Sequence, residues 1–145
     1  MKLSTRCRYG TRLMLDMAQH YGEGPIQLGD IAKRQDLSLK YLEQIIIPLK
    51  KAHYIESVRG PKGGHLLAKD PARITIAEIV ELLDGTGVTE CVTDSSSCQR
   101  AEFCPTRLLW KEISEAVFDK LKTVTLADLV EKGKAMQDKD TNQRP

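Results

Sequence analysis

Three of the four cysteines, Cys91, Cys98 and Cys104, fall in one polar stretch, Cys-Val-Thr-Asp-Ser-Ser-Ser-Cys-Gln-Arg-Ala-Glu-Phe-Cys, which runs directly into Pro105. Thiolates are soft donors that suit iron–sulfur clusters. Structural zinc sites usually pair cysteines two to four residues apart, and no such pair occurs here. The wider spacing lets a loop wrap a larger object. Cys104 sits at the expected start of a helix, where the helix dipole favours a thiolate or a net-negative group, and Arg100 and Arg107 add positive charge nearby. On the residues alone four readings stay open: a cluster, redox thiols in which Cys91 and Cys98 close a disulfide, a zinc site, or three free cysteines in a flexible loop. There is no Ser/His/Asp set, no pair of catalytic carboxylates and no phosphate loop, so no enzymatic activity is expected.

The elements that must carry this loop follow from composition and periodicity. The chain has 145 residues, 41% apolar and 29% charged, which suits one globular domain with a modest core. No apolar run approaches the ~18 residues of a membrane span. The basic N-terminus lacks the apolar block of a secretory signal, so a cytoplasmic protein with reduced thiols is expected. Charge is uneven. Residues 1–75 hold 13 Lys and Arg against 7 Asp and Glu, net +6, and residues 76–145 hold 9 against 13, net −4. A basic first half implies a polyanionic partner; the plain alternative is a solvated charged face.

Tyr9, Leu13, Met17 and Tyr21, flanked by Met14 and Ala18, predict an amphipathic helix from about Thr5 to His20. A short helix follows from about Leu28 to Gln35, and Asp36-Leu37-Ser38 makes a tight turn. Ser38 caps a third helix whose buried stripe is Leu39, Leu42, Ile46 and Leu49, with a kink or break expected near Ile47 because of Pro48. Two strands, about Tyr54–Val58 and His65–Leu67, flank the turn Arg59-Gly60-Pro61-Lys62-Gly63-Gly64. Thr75 and Glu78 form a capping box. A structureless segment, 85–104, holds the cysteines, and loops of that length usually have a job. Pro105 opens a long helix with Leu109, Ile113, Ala116, Val117 and Leu121 along one side. Thr125 and Asp128 cap a last helix ending near Met136, and 137–145 form a flexible tail.

Two short helices joined by a tight turn and followed by a hairpin make a winged helix-turn-helix, so the fold class is mainly α with one small β-hairpin. The second helix of such a unit fits a DNA major groove. Its buried stripe leaves Ser38, Lys40, Tyr41, Glu43 and Gln44 for DNA. Gln and Glu can read base edges, whereas Lys40 and Tyr41 suit phosphates. Arg59 and Lys62 lie on the wing, where an arginine suits a narrow minor groove. The bland alternative is a small helical domain with an ordinary hairpin. His20 is expected at the surface or as a helix cap, His53 in packing and His65 at the surface. Trp110 and Phe118 are expected as interface or core anchors.

These segments together carry a resemblance. Met1 to Arg6, Ser38-Leu39-Lys40-Tyr41-Leu42-Glu43-Gln44, the wing from Val58 to Gly64, the three-cysteine loop and Leu109-Trp110 are similar to the IscR-like regulators of the Rrf-two family of winged-helix transcription factors. The resemblance spans Met1 to about Lys134. It implies a homodimer on double-stranded operator DNA, a long dimerisation helix, and an iron–sulfur cluster, 2Fe-2S or 4Fe-4S, held by Cys91, Cys98 and Cys104. The implied division is a DNA-binding domain over 1–84, a cluster loop over 85–104 and dimerisation helices over 105–136. Two departures stand out. Relatives place a histidine ligand three residues after the last cysteine, where this chain has Arg107, which has no lone pair to offer. The gap between Cys91 and Cys98 is also one residue longer than usual in that family. We hypothesise from the sequence that Cys7 of the partner supplies the missing ligand; Glu102 and a non-protein ligand are the alternatives. The competing class is a thiol-redox or small-molecule-responsive repressor without a cluster.

Overall fold

The structure, a computed structural model, describes residues 2–144. Helix α1 spans Thr5–Gln19. Ser4 caps it, its hydroxyl accepting from the Cys7 N–H at 3.0 Å. The apolar side of α1 starts earlier than Tyr9: Cys7, Gly10, Leu13, Met14, Met17 and Ala18 are buried, whereas Tyr21 lies beyond the helix and is exposed. A Cβ on Gly10 would overlap Leu83 Cδ1, so this glycine sets how closely α1 packs on the helix that carries Leu83.

Helix α2 (Leu28–Gln35) ends at Asp36, which takes a left-handed conformation, φ 52°. Asp is among the few non-glycine residues that visit this region readily. The turn delivers the chain to Ser38, whose hydroxyl caps α3 (Leu39–Lys51) by accepting from the Tyr41 N–H at 3.3 Å. Leu42, Ile45, Ile46 and Leu49 are buried, but Leu39 is exposed. The expected break at Pro48 does not occur, and α3 runs on to Lys51. Pro48 deprives only the Gln44 carbonyl of its helical partner, and Gln44 is on the exposed side where water can serve instead.

The wing pairs β1 (Ile55–Val58) with β2 (Gly64–Leu67), Ile55 opposite Leu67 and Val58 opposite Gly64. A third segment, not expected, joins it: Ile26 and His65 exchange backbone hydrogen bonds of 2.9 and 2.8 Å. Gly64 must be glycine for this, since its φ is +154° and a Cβ would lie 2.5 Å from the Ile26 carbonyl oxygen. Helix α4 (Ile76–Asp84) starts with the expected capping box of Thr75 and Glu78.

Segment 85–104 is not structureless. It contains a one-turn helix α5 (Glu90–Thr93) and two tight 3₁₀ turns, Ser95–Ser97 and Ala101–Phe103. Helix α6 runs Pro105–Lys122 and α7 runs Leu126–Gln143. The last helix therefore continues well past Met136, because Gln137 to Gln143 includes neither Gly nor Pro to stop it. Helix α7 returns to the core. Residues 124–126 pair back onto 74–76 through hydrogen bonds of 2.8 and 2.9 Å, and Leu126 is fully buried in the same core as Leu13, Met17, Ile31, Leu42, Leu49, Ile74 and Ile79. No helix among the described residues is long and apolar enough to cross a membrane.

Candidate nucleic-acid interface and cysteine loop

Helix α3 is held at its N-terminal end by its own cap and by α1. At its N-terminal end, Ser38, Lys40, Glu43 and Gln44 are exposed, whereas Tyr41 is half-buried. The Ser38 hydroxyl already serves as the cap, and the Tyr41 ring packs edge-on against Tyr9 of α1, centroids 5.9 Å apart at 86°. Both therefore position the helix as well as facing outward. Arg59 and Lys62 are exposed at the wing turn. Gln27 steadies that turn by donating to the Gly63 carbonyl at 2.5 Å. His65 is half-buried rather than at the surface, with Nδ1 3.3 Å from the Ser57 hydroxyl, and burial followed by the charge of Lys50 lowers its pKa.

Sequence reasoning missed a buried ion pair behind this unit. Asp16 of α1 is 1% exposed and accepts from Arg34 Nη2 and Nε of α2 at 2.7 and 3.1 Å, and from Gln35 Nε2 at 3.0 Å. Burial alone would raise its pKa, but the hydrogen bonds from Arg34 and Gln35 outweigh this and hold the carboxyl below its ordinary value. Arg12 also reaches Gln35, donating from Nε to its side chain at 3.3 Å and from Nη2 to its backbone carbonyl. Thus α2 is fixed to α1 immediately before the turn that starts α3. His20 caps the end of α1, its Nδ1 2.8 Å from the Asp16 carbonyl oxygen.

The cysteines are less assembled. All four are free thiols. Cys91 is half-buried with its sulfur 3.2 Å from the Thr89 hydroxyl; Cys98 is exposed; Cys104 is half-buried with its sulfur 3.0 Å from the Thr106 hydroxyl. That hydroxyl, the backbone N–H of Arg107 and the charge of Arg100 lower the Cys104 pKa. No group of three or more His, Cys, Asp or Glu residues gathers at metal-binding distance among the described residues, so the sulfurs share a loop without converging on a point. Arg107 turns back into the loop, donating from Nε to the Cys91 carbonyl at 2.7 Å and from Nη1 to the Ala101 carbonyl at 3.4 Å. Glu102 is exposed on the last 3₁₀ turn.

Cys7 faces inward on α1. It is 1% exposed within its own protomer's core, and burial, reinforced by Asp84, pushes its pKa up to about 11. A neutral thiol facing inward is the opposite of an available thiolate. The helical spacing already contained this signal, since Cys7 stands three residues before Gly10 and seven before Met14 on the buried side of α1.

A capped second helix, a glycine-built wing and the exposed Lys40, Arg59 and Lys62 make up a winged-helix DNA-binding unit. Residues 3–132 match the family model described as Rrf2, iron-dependent transcriptional regulator, and the chain belongs to that family. It is 45% identical over 131 residues to the Rrf2 protein of Nitratidesulfovibrio vulgaris, covering 90% of this chain and 87% of that one. Among solved structures it is similar to T. potens IscR, with TM-score 0.74 and 36% identity over 100% of this chain and 93% of that one. It is equally similar to CymR, the global cysteine regulator of B. subtilis, with TM-score 0.75 and 38% identity over 91% and 98% of the two chains.

Proposed function

We propose that this protein is a cytoplasmic, homodimeric regulator whose operator affinity is set by an iron–sulfur cluster held through Cys91, Cys98 and Cys104. The observation that carries the proposal is three free thiols on one loop, one of them biased toward thiolate at the N-terminus of α6. As donor chemistry they suit a cluster; gathering the sulfurs requires the loop to close. Bound there, a cluster would supply a redox- and ligand-sensitive centre whose loss frees the loop. The fourth position falls to Glu102 or a non-protein ligand, because Arg107 cannot coordinate and Cys7 is buried.

Residues of this chain connect loop to DNA reader. Asp84 immediately precedes the loop. Its carboxylate accepts from the Ser4 backbone N–H at 3.0 Å and from the Ser4 hydroxyl, so the root of the loop holds the capping residue of α1. Helix α1 then supports α3 through Tyr9 against Tyr41 and α2 through Asp16 and Arg34. A loop that closes around a ligand biases operator binding only to the extent that it fits one arrangement of these parts better than another. In the dimer, α6 packs against its twin; the exposed Leu108, Leu109 and Trp110 support that role. The paired recognition helices then meet successive major grooves of a pseudo-palindromic operator.

A second reading has one observation in its favour: the loop thiols do not gather into a metal-ligand set among the described residues. It makes them a thiol-redox switch with no cofactor. Anaerobic reconstitution followed by iron and sulfide analysis separates the two. The cluster reading expects a coloured protein with stoichiometric iron and sulfide, lost on Cys98→Ser. A colourless protein that instead forms a Cys91–Cys98 disulfide on mild oxidation would favour the redox reading.

A further inference from the structure

The first three turns of α1 carry Arg6, Arg8 and Arg12, and no acidic residue occurs before Asp16, which is buried and already paired with Arg34. None of the three arginines forms a salt bridge among the described residues. They stand around the aromatic pair that joins α1 to the recognition helix: the guanidinium carbons of Arg8 and Arg12 lie 5.8 and 5.7 Å from the Tyr9 ring centroid. Arg6 lines a cleft of about 190 Å³ with Tyr41, Gln44 and Ile45 of α3.

Arg8 and Arg12 have local partners, Thr5 and Gln35. Arg6 has no side-chain hydrogen bond among the described residues and is exposed. It shares the lining of that cleft with Gln44, one of the residues expected to face DNA. An exposed arginine with no partner, bordering the helix expected to enter the major groove, is within reach of the flanking phosphate strand. Guanidinium binds phosphate oxygens in a bidentate manner, and phosphate contacts fix register without reading sequence.

We propose that the N-terminal turn of α1 is a phosphate clamp, with Arg6 holding the DNA backbone at the edge of the major groove that α3 enters. The proposal rests on the winged helix binding DNA and is independent of any cluster. It extends the interface beyond α3 and the wing to a third element, and the same turn is the one that Asp84 holds through Ser4.

The test uses full-length Arg6→Gln and Arg6→Lys proteins. The probes are a duplex of about three helical turns that the wild type selects from a random pool, and a scrambled duplex of equal length. Affinity is measured across a salt series. Arg6→Gln is expected to make the slope of log affinity against log salt shallower by about 1 per protomer, and to weaken both duplexes by the same factor, with Tm unchanged. Arg6→Lys is expected to keep most of the slope. A slope equal to wild type in Arg6→Gln would overturn the clamp, and so would a selective loss of preference for the chosen duplex, which would make Arg6 a base reader. If the wild type selects no duplex at all, the DNA-binding premise fails along with the clamp.

Discussion

Arg107 Nε lies 2.7 Å from the Cys91 carbonyl oxygen, so the residue that stands where related proteins are expected to have a histidine ligand instead ties the start of the cysteine loop to α6. A second bond, to Ala101, reaches the other limb. The side chain braces the loop rather than coordinating within it.

Removing that brace is expected to loosen the loop without unfolding the domain. In Arg107→Ala the segment 85–104 should be cut by protease several-fold faster, while Tm moves by only a few degrees, since a hydrogen bond from a half-buried charged donor is worth about 1–2 kcal/mol. Cleavage at the wild-type rate would show that the loop is held by something else.

Asp16 makes a larger and pH-dependent prediction. Asp16→Asn leaves Arg34 facing a neutral amide, and breaking a buried pair costs about 3–5 kcal/mol when both partners are enclosed. Arg34 is 39% exposed, so a loss of about 2 kcal/mol is expected in denaturant titration. The folded carboxyl has a lowered pKa. Its stabilising contribution is therefore present above the ordinary carboxylate range, about pH 4, and fades as pH falls through the lower folded value. Asp16→Asn should flatten the acid limb of the stability profile. An unchanged acid limb would contradict the assignment.

Thiol labelling separates Cys7 from the others. In native metal-free protein three thiols should react readily with a water-soluble reagent, and the fourth only on unfolding. With its pKa pushed up to about 11, Cys7 stays neutral in the folded state while the unfolded thiol ionises near pH 8.5. Folding stability should thus decline as pH rises from about 8.5 toward 11, and Cys7→Ala should lessen that decline. Rapid labelling of all four thiols in folded protein would return Cys7 to the list of ligands.

Much of the architecture was legible because it rests on local chemistry. The spacing of Leu13 and Met17, the Ser38 cap and the glycines of the wing each fix a short element by its own residues, and those elements appear within a residue or so of expectation. What escaped reading depended on pairings distant in sequence. Nothing around Ile26 announces that it will pair with His65, and nothing around Leu126 announces that it will return to the core beside Ile74. Asp16 is polar on the helical face that meets α2, and only the arrival of Arg34 explains how a carboxylate can be buried there. Pro48 leaves α3 unbroken because the cost of a proline depends on whether the carbonyl it orphans can reach water. The cysteine loop was recognisable by composition, whereas the distances between its sulfurs are not written in their spacing.

The central claim is that chemistry at the loop thiols changes DNA binding. It is tested most directly by measuring, at one salt concentration, the affinity of anaerobically reconstituted and metal-free protein for the same selected duplex, with Cys98→Ser as control. The account predicts at least a tenfold difference between the two wild-type forms, about 1.4 kcal/mol or more, and none in Cys98→Ser. Equal affinities for reconstituted and metal-free wild-type protein would contradict it.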